Sequence, residues 1–293
     1  MHTPGPEIFQ RTPARLGEGP CWHPRRQTVW WVDILGCKLF ESGPNGGPVR
    51  TLDLPQMPGA IAPVHDGRLI AALHQGVFFC DPDSGALTPF AVPSGHDPQV
   101  FRFNDGKVDP QGRFWAGTLA LDSRPGQSKL FRFGGDRSCA VMREDVSISN
   151  GLAWSPDGRT LCYVDSPTRQ VQAFPFDGEH GTLGAPRVAF ELADGDGWPD
   201  GCCMDAEGCL WLGHWGAGKL TRWDPAKGKL LRTVSLPVTN VTSCAFGGAK
   251  LDRLFITTAV DPDTKKPEPE AGFTFCLDPG VAGLPPAEFR LRA

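Results

Sequence analysis

The chain has 293 residues, a formal net charge of −4 and a hydrophobic fraction of 40%. This length suits one large all-β domain as well as two smaller domains, and the apolar content is enough for a sizeable core. Neither charge sign forms a long block, so we expect no nucleic-acid partner and no polybasic contact with a membrane. The 36 glycines and 29 prolines are spread along the chain, which indicates many tight turns.

The N-terminal 20 residues lack the basic-then-apolar order of a signal peptide, and no stretch approaches the roughly 18 apolar residues of a membrane helix. We therefore expect a cytoplasmic protein without a membrane partner. The ten cysteines are scattered, with no Cys-x-x-Cys spacing and no accompanying histidine motif. They are expected to be reduced core residues, and neither disulfides nor zinc ligands.

A turn followed by a short apolar strand recurs six times, at 22–34, 63–75, 108–120, 154–166, 204–216 and 247–259. The first strand residues, by subtraction, follow one another at intervals of 40, 45, 47, 49 and 44 residues. These residues are Val29, Leu69, Phe114, Leu161, Leu210 and Leu254. Such a period is typical of β-propellers, in which small sheets pack face to face around a ring. We predict an all-β fold with a single six-bladed β-propeller domain over residues 1–293.

Two further features fit this fold. Asp109, Asp157 and Asp205 lie in glycine-containing turns between strands, so they are predicted to be structural and not ligands. The apolar run from Gly272 to Leu277 is predicted to join a blade begun near the N-terminus and thereby close the ring.

Three polar residues are not explained by the repeat. Each lies a similar distance before the first strand residue of a repeat. By subtraction, Glu18 lies 11 residues before Val29, Asn150 lies 11 before Leu161, and Asp200 lies 10 before Leu210. Equivalent positions on different blades point toward one end of the central channel, so we expect these side chains to converge. Two carboxylates and an amide oxygen suit a hard cation.

Asn104 stands 10 residues before Phe114 and belongs to the same ring of positions. Asn104-Asp105-Gly106, Asn150-Gly151 and Pro199-Asp200-Gly201 are also good turn sequences, and this alternative stays open. His214, at a strand end, either faces the same cleft or is a packed or surface histidine.

Long segments resemble the senescence-marker-protein/gluconolactonase family, also called regucalcin-like sugar lactonases. They are LGEGPCWHPRRQTVWWVDI, RFNDGKVDPQGRFWAGTL, SNGLAWSPDGRTLCYVDS and PDGCCMDAEGCLWLGHWG. The resemblance implies a propeller with one divalent metal ion held by Glu18, Asn150 and Asp200. It also implies substrate contacts from Arg102 and Asn104, and from an acid at Asp122, where family members often carry glutamate.

The same resemblance implies a small-molecule sugar lactone as substrate, such as glucono-, xylono- or arabinonolactone, opened to the aldonic acid. The metal could be Ca, Zn, Mn, Mg or Fe(II). Asp200 is our hypothesis for the catalytic base, with metal-bound hydroxide as the alternative. Three alternatives stay open: a calcium-binding regucalcin-like protein without catalysis, a metal-dependent aryl ester or phosphotriester hydrolase, and an interaction scaffold. We expect a monomer.

Overall fold

The structure is a computed structural model that describes residues 5–260 and 268–292. Within these ranges the chain forms 25 β-strands, one 3-10 helix over Ser166–Thr168 and no α-helix. The strands make six separate antiparallel sheets. The protein is therefore an all-β, six-bladed propeller, as the repeat predicts.

Strands are numbered along the chain, and the first one, β1 (Glu7–Gln10), belongs to the last blade. Blade 1 contains β2 (Gly17–His23), β3 (Thr28–Asp33), β4 (Lys38–Ser42) and β5 (Arg50–Asp53). Blade 2 contains β6 (Pro58–Pro63), β7 (Leu69–Leu73), β8 (Gly76–Cys80) and β9 (Leu87–Ala91). Blade 3 contains β10 (Phe101–Val108), β11 (Phe114–Ala120), β12 (Ser128–Phe133) and β13 (Cys139–Val146).

Blade 4 contains β14 (Ser149–Trp154), β15 (Thr160–Asp165), β16 (Gln170–Asp177), β17 (Thr182–Leu183) and β18 (Arg187–Glu191), the last two both paired with β16. Blade 5 contains β19 (Trp198–Met204), β20 (Leu210–Trp215), β21 (Lys219–Asp224) and β22 (Lys229–Ser235). Blade 6 contains β23 (Asn240–Gly247), β24 (Arg253–Ala259) and β25 (Thr274–Leu277), with β1 outermost. The predicted repeat strands are the second strands of the six blades.

The ring is closed in one sheet, where the first strand, β1, pairs with the last strand, β25. β1 runs antiparallel to β25, with Glu7 opposite Cys276 and Ile8 opposite Phe275. This confirms the prediction that the apolar run at 272–277 joins a blade begun near the N-terminus. The first strand of each blade contacts the first strand of the next, and β23 contacts β2. These six inner strands therefore surround a central channel.

The blades pack through apolar side chains that cover both faces of each second strand. In β7, for example, all five residues are buried, because neighbouring blades lie on either side. Asp109 and Asp205 stabilise the turns from within: the Oδ2 of each accepts a hydrogen bond from a buried tryptophan Nε1, that of Trp115 and Trp211 respectively, at 3.0 Å. Asp157 accepts hydrogen bonds from Ser155 and Arg159 in its own turn. The structural interpretation of the three aspartates is confirmed.

All six inner strands carry a β-bulge near the same end. Their register against the second strand shifts at Glu18/Cys21, Pro58/Ala60, Phe103/Asp105, Asn150/Leu152, Pro199/Cys202 and Val241/Ser243. A bulge redirects side chains and often lies beside a functional site. The ring of bulges thus sets the directions of the polar side chains at one end of the channel.

The ten cysteines are free thiols, and seven of them are buried, as expected for core residues. Cys139 differs, because it is exposed at the start of β13. Among the described residues, no helix has the length and hydropathy needed to span a membrane.

We predict that removing residues 1–10 strongly destabilises the propeller. The truncation would leave β25 without its outer partner and would remove Phe9, whose ring lies 4.7 Å from that of Phe255. Loss of this burial should lower the free energy of unfolding by at least about 3 kcal/mol, measurable by denaturant titration. Removing only residues 1–5, which precede β1, is the control. Equal stability of the two truncated proteins would contradict the assignment of ring closure to β1.

Candidate active site

A cavity of about 330 Å³ lies where β2, β10, β14 and β19 begin. It is lined by Leu16, Glu18, Arg102, Asn104, Leu119, Ile148, Asn150, Ser166, Pro167, Trp198, Asp200 and Trp215. Five of the six predicted site residues are therefore brought together from blades 1, 3, 4 and 5. The sixth, Asp122, does not line this cavity. It follows β11, its side chain is half exposed, and its Oδ2 pairs with Arg124 Nε at 2.6 Å.

A second cavity, of about 300 Å³, lies toward the other end of the channel. Its walls are mostly apolar and include residues 284–287 of the C-terminal segment. Asp105 and Lys107 line it, but none of the predicted site residues does. The oxygen-rich cavity at the beginning of the inner strands is therefore the candidate active site.

A chain of hydrogen bonds connects three blades across the floor of the site. Arg102 Nη1 donates to Asn104 Oδ1 at 2.8 Å, and Asn104 Nδ2 donates to Asn150 Oδ1 at 3.0 Å. Asn150 Nδ2 donates to Ser166 Oγ at 2.8 Å, and this hydroxyl donates to the carbonyl of Pro199 at 2.6 Å. The network fixes the Asn150 amide, whose oxygen keeps a second lone pair for a ligand.

Ser166 was not identified from the sequence. It begins the 3-10 helix after β15, whereas the other polar residues of the site lie on inner strands. No repeat position marks it, and its partners Asn150 and Pro199 are 16 and 33 residues away along the chain.

Glu18 and Asp200 are buried carboxylates, only 4% and 5% exposed. Among residues 5–260 and 268–292, no Lys, Arg or His nitrogen lies within 4.0 Å of either one. Burial, followed by the charge of Asp105, raises the pKa of Glu18 to about 8. Burial and then the charge of Glu18 raise the pKa of Asp200 well above its ordinary value. Burial thus disfavours the charged form of both groups, and a charge on Glu18 further disfavours a charge on Asp200 in a site that water screens poorly.

The nearby protein groups offset these effects only in part. Gly19 N donates to Glu18 Oε2 at 2.9 Å, and the Gly201 N–H lowers the pKa of Asp200. Arg102 attracts both carboxylates, but burial lowers its own pKa to about 10. The raised pKa values favour neutral carboxyls, and a bound cation would favour their ionised forms.

The donor set of the site fits a divalent cation. Glu18, Asn150 and Asp200 offer two carboxylates and one amide oxygen, which are ligands of hard metal ions. Within the described part of the chain, no group of three or more His, Cys, Asp or Glu side chains is placed to hold a metal. The candidate centre is therefore an amide-containing oxygen site.

The turn interpretation of the Asn-Gly and Asp-Gly pairs is wrong, because these residues lie inside strands β14 and β19. Their glycines allow adjacent inner strands to approach closely. A Cβ atom on Gly151 would lie 2.7 Å from the Asp200 carbonyl oxygen, and one on Gly201 would lie 2.1 Å from Ser243 Oγ. Asn104-Asp105-Gly106 likewise lies within β10.

His214 is a packed histidine and does not line the cavity. Its Nδ1 donates to the Asp196 carbonyl at 2.7 Å, so its Nε2 accepts from Thr221 Oγ1 at 2.6 Å. Burial lowers the pKa of His214 to about 4, which keeps the ring neutral at physiological pH.

We predict that His214 makes the protein less stable as the pH falls from 6.5 toward 4. The unfolded chain binds a proton on this ring near pH 6.5, whereas the folded chain does so only near pH 4. The stabilisation is complete above pH 6.5, and up to about 3 kcal/mol of it is lost on acidification. Denaturant titrations at several pH values should show a smaller fall for His214→Gln. The half-buried His65→Gln should retain the wild-type fall. Parallel curves for wild type and His214→Gln would contradict the prediction.

Comparisons with known proteins agree with this architecture. The profile described as SMP-30/Gluconolactonase/LRE-like region matches residues 16–260. Regucalcin of Danio rerio is 36% identical over 280 residues, which cover 94% of each protein. The chain belongs to the SMP-30/gluconolactonase family. This family assignment agrees with the resemblance found in the sequence.

Other members of the SMP-30/gluconolactonase family differ in their described activity. A 6-deoxy-6-sulfogluconolactonase of Pseudomonas putida is 38% identical over 250 residues, with 85% of each protein covered. The crystal structure of a calcium-binding protein, regucalcin of Agrobacterium tumefaciens, has a TM-score of 0.90 and 31% identity, covering 99% of this chain and 98% of that one. The family thus includes proteins named as sugar lactonases and a protein described as binding calcium.

Proposed function

We propose that the protein is a metal-dependent lactonase that opens aldonolactones, such as glucono-, xylono- or arabinonolactone, to the aldonic acid. One observation carries the proposal: a single cavity joins two buried carboxylates without an ion-pair partner among the described residues to an arginine with free donors. The carboxylates suit a cation, and the arginine suits the hydroxyl groups of a sugar. The relative named 6-deoxy-6-sulfogluconolactonase supports this class of substrate.

Arg102 has the donors needed for substrate binding. Its Nη1 is occupied by Asn104 Oδ1 and by the Phe103 carbonyl. Its Nε and Nη2 make no hydrogen bond with the residues that the structure describes. The amide of Asn104 has no donor left for a substrate, because its Nδ2 already donates to the Ser149 carbonyl and to Asn150 Oδ1 on blade 4. We therefore expect Arg102 to bind substrate hydroxyls directly, and Asn104 to hold Arg102 and Asn150 in place while its Oδ1 accepts one further hydrogen bond.

In this proposal Glu18, Asn150 and Asp200 hold the cation, which supplies polarisation of the lactone carbonyl when bound. Asp200 accepts a proton from the water whose oxygen forms a bond to the carbonyl carbon. The bond between this carbon and the ring oxygen then breaks, and the ring oxygen takes up the proton that Asp200 holds. Arg102 keeps the ring oriented throughout, which contributes to the rate by positioning.

Calcium binding without catalysis is a second candidate, favoured by the regucalcin relatives and by the solved structure described as a calcium-binding protein. A calcium cage alone would not need the free donors of Arg102 beside the anions. Hydrolysis of aryl esters or phosphotriesters would use the same oxygen ligands. These candidates differ in substrate turnover, so one experiment separates them.

We predict that chelator-treated protein hydrolyses none of the aldonolactones and regains activity with at least one of Ca, Zn, Mn, Mg or Fe(II). Acid release from five- and six-carbon lactones should be followed by pH-stat titration, beside phenyl acetate and a phosphotriester. Asp200→Asn and Glu18→Gln should each lower kcat/KM at least about 100-fold, because each removes charge from the reacting centre.

The control is Asp157→Asn, which changes an exposed acid in a turn between β14 and β15. It should retain wild-type turnover. Wild-type rates in Asp200→Asn, or turnover of the aryl ester or phosphotriester alone, would contradict a sugar lactonase. Tight calcium binding without any turnover would favour the second candidate.

A further inference from the structure

One aromatic side chain of the protein stands apart from the rest. The chain has 18 Phe, 9 Trp and 1 Tyr residues, all within the described ranges. Of these, only Trp198 is an exposed residue, at 43%, and it lines the candidate active site. An exposed large aromatic residue loses the free energy of burial that the other aromatic residues gain. Its location at the cavity points to a ligand that covers it.

Trp198 is held in place by its neighbours. It begins β19 and lies opposite Trp215, at the end of β20. The guanidinium carbon of Arg169 lies 5.3 Å from the centre of the Trp198 ring. Arg169 is in turn fixed by hydrogen bonds to the carbonyls of Leu192 and Ala193. A cation at this distance attracts the ring and restricts its orientation.

The cavity has a polar floor and an apolar rim. The floor consists of the carboxylates, the amides, Ser166 and Arg102, whereas the remaining lining residues are apolar or aromatic. These rim residues are Leu16, Leu119, Ile148, Pro167, Trp198 and Trp215. A matching ligand presents polar atoms on one edge and an apolar face toward the rim. A cyclic sugar lactone does both, because its hydroxyls and carbonyl lie at the ring edge while its C–H bonds form a face.

We propose that Trp198 is a stacking platform for the C–H face of the lactone ring and determines specificity for cyclic substrates. This inference rests on the proposed lactonase function and deepens it. Arg102, on blade 3, would bind the hydroxyl edge while Trp198, on blade 5, contacts the ring face. Because stacking holds substrate and transition state alike, Trp198 contributes to KM and not to kcat.

The test compares wild type with Trp198→Ala, Trp198→Phe and Leu230→Ala. Leu230, on β22 of the same blade, is 44% exposed and lies outside the cavity, so it is a matched control for loss of an exposed apolar side chain. Trp198→Ala should raise KM for gluconolactone about 10-fold, with kcat changed less than about 2-fold, as expected for one lost aromatic contact. Trp198→Phe should retain most of the affinity, and Leu230→Ala should match wild type.

A second readout does not depend on turnover. Gluconolactam, in which nitrogen replaces the ring oxygen, should quench tryptophan fluorescence in wild type and should bind about 10-fold more weakly to Trp198→Ala. Melting curves of each variant check that it is folded. In one outcome, the lactam quenches wild type but not Trp198→Ala, and wild type hydrolyses no lactone. This outcome would overturn the proposed function and keep the platform.

Lactone hydrolysis with equal KM and equal lactam affinity in wild type and Trp198→Ala would overturn the platform and keep the lactonase. The platform would likewise be overturned if wild type is an oligomer, Trp198→Ala is a monomer and KM is unchanged. The exposed ring would then serve a contact between proteins. Size-exclusion chromatography provides this measurement.

Discussion

The burial of the carboxyl groups of Glu18 and Asp200 is the constraint on which the site depends. Both carboxylates are removed from water, and no basic side chain among the described residues pairs with them at close range. Such an arrangement costs free energy that the rest of the propeller must supply. The two residues lie on separate blades of the closed ring, blade 1 and blade 5, so the packing between blades holds them in one cavity.

The scaffold supplies this rigidity through backbone contacts at the channel. Bulges on the inner strands direct the polar side chains, and Gly151 and Gly201 let neighbouring strands approach within distances that a Cβ atom would prevent. A chain of hydrogen bonds then connects three blades across the floor of the site. It runs from Arg102 through Asn104, Asn150 and Ser166 to the carbonyl of Pro199. The same features that close the propeller therefore also build an oxygen site for a cation, and the apolar rim completes it for a ring-shaped ligand.

Much of the fold followed from the sequence because the repeat is local. Six turn-and-strand units gave the blade count, and the matched spacing of Glu18, Asn150 and Asp200 predicted that they line one cavity. The individual hydrogen bonds between blades, and residues outside the repeat, were not predictable in this way. Ser166 enters the site through the 3-10 helix, and Asn104 contacts Asn150 across 46 residues of sequence. The turn alternative arose because Asn-Gly and Asp-Gly suit a tight turn and a closely packed strand equally well.

Exposure was equally hard to anticipate. Trp198 and His214 are both near strand ends, yet one is half open to solvent and the other is enclosed, since burial depends on the neighbouring blade and loop. Asp122 was selected from the family resemblance, and the structure places its side chain beside Arg124, outside the lining of the cavity. Its role as a substrate-facing acid stays a prediction.

The most direct test of the account is the binding stoichiometry of divalent cations, measured by isothermal titration calorimetry on chelator-treated protein. We predict one equivalent of at least one of Ca, Zn, Mn, Mg or Fe(II) for wild type, with a rise in melting temperature on binding. Asp200→Asn and Glu18→Gln should each lose this binding while remaining folded. Absence of a bound equivalent for all five cations, or unchanged affinity in Asp200→Asn, would contradict the assignment of the buried carboxylates to a metal site.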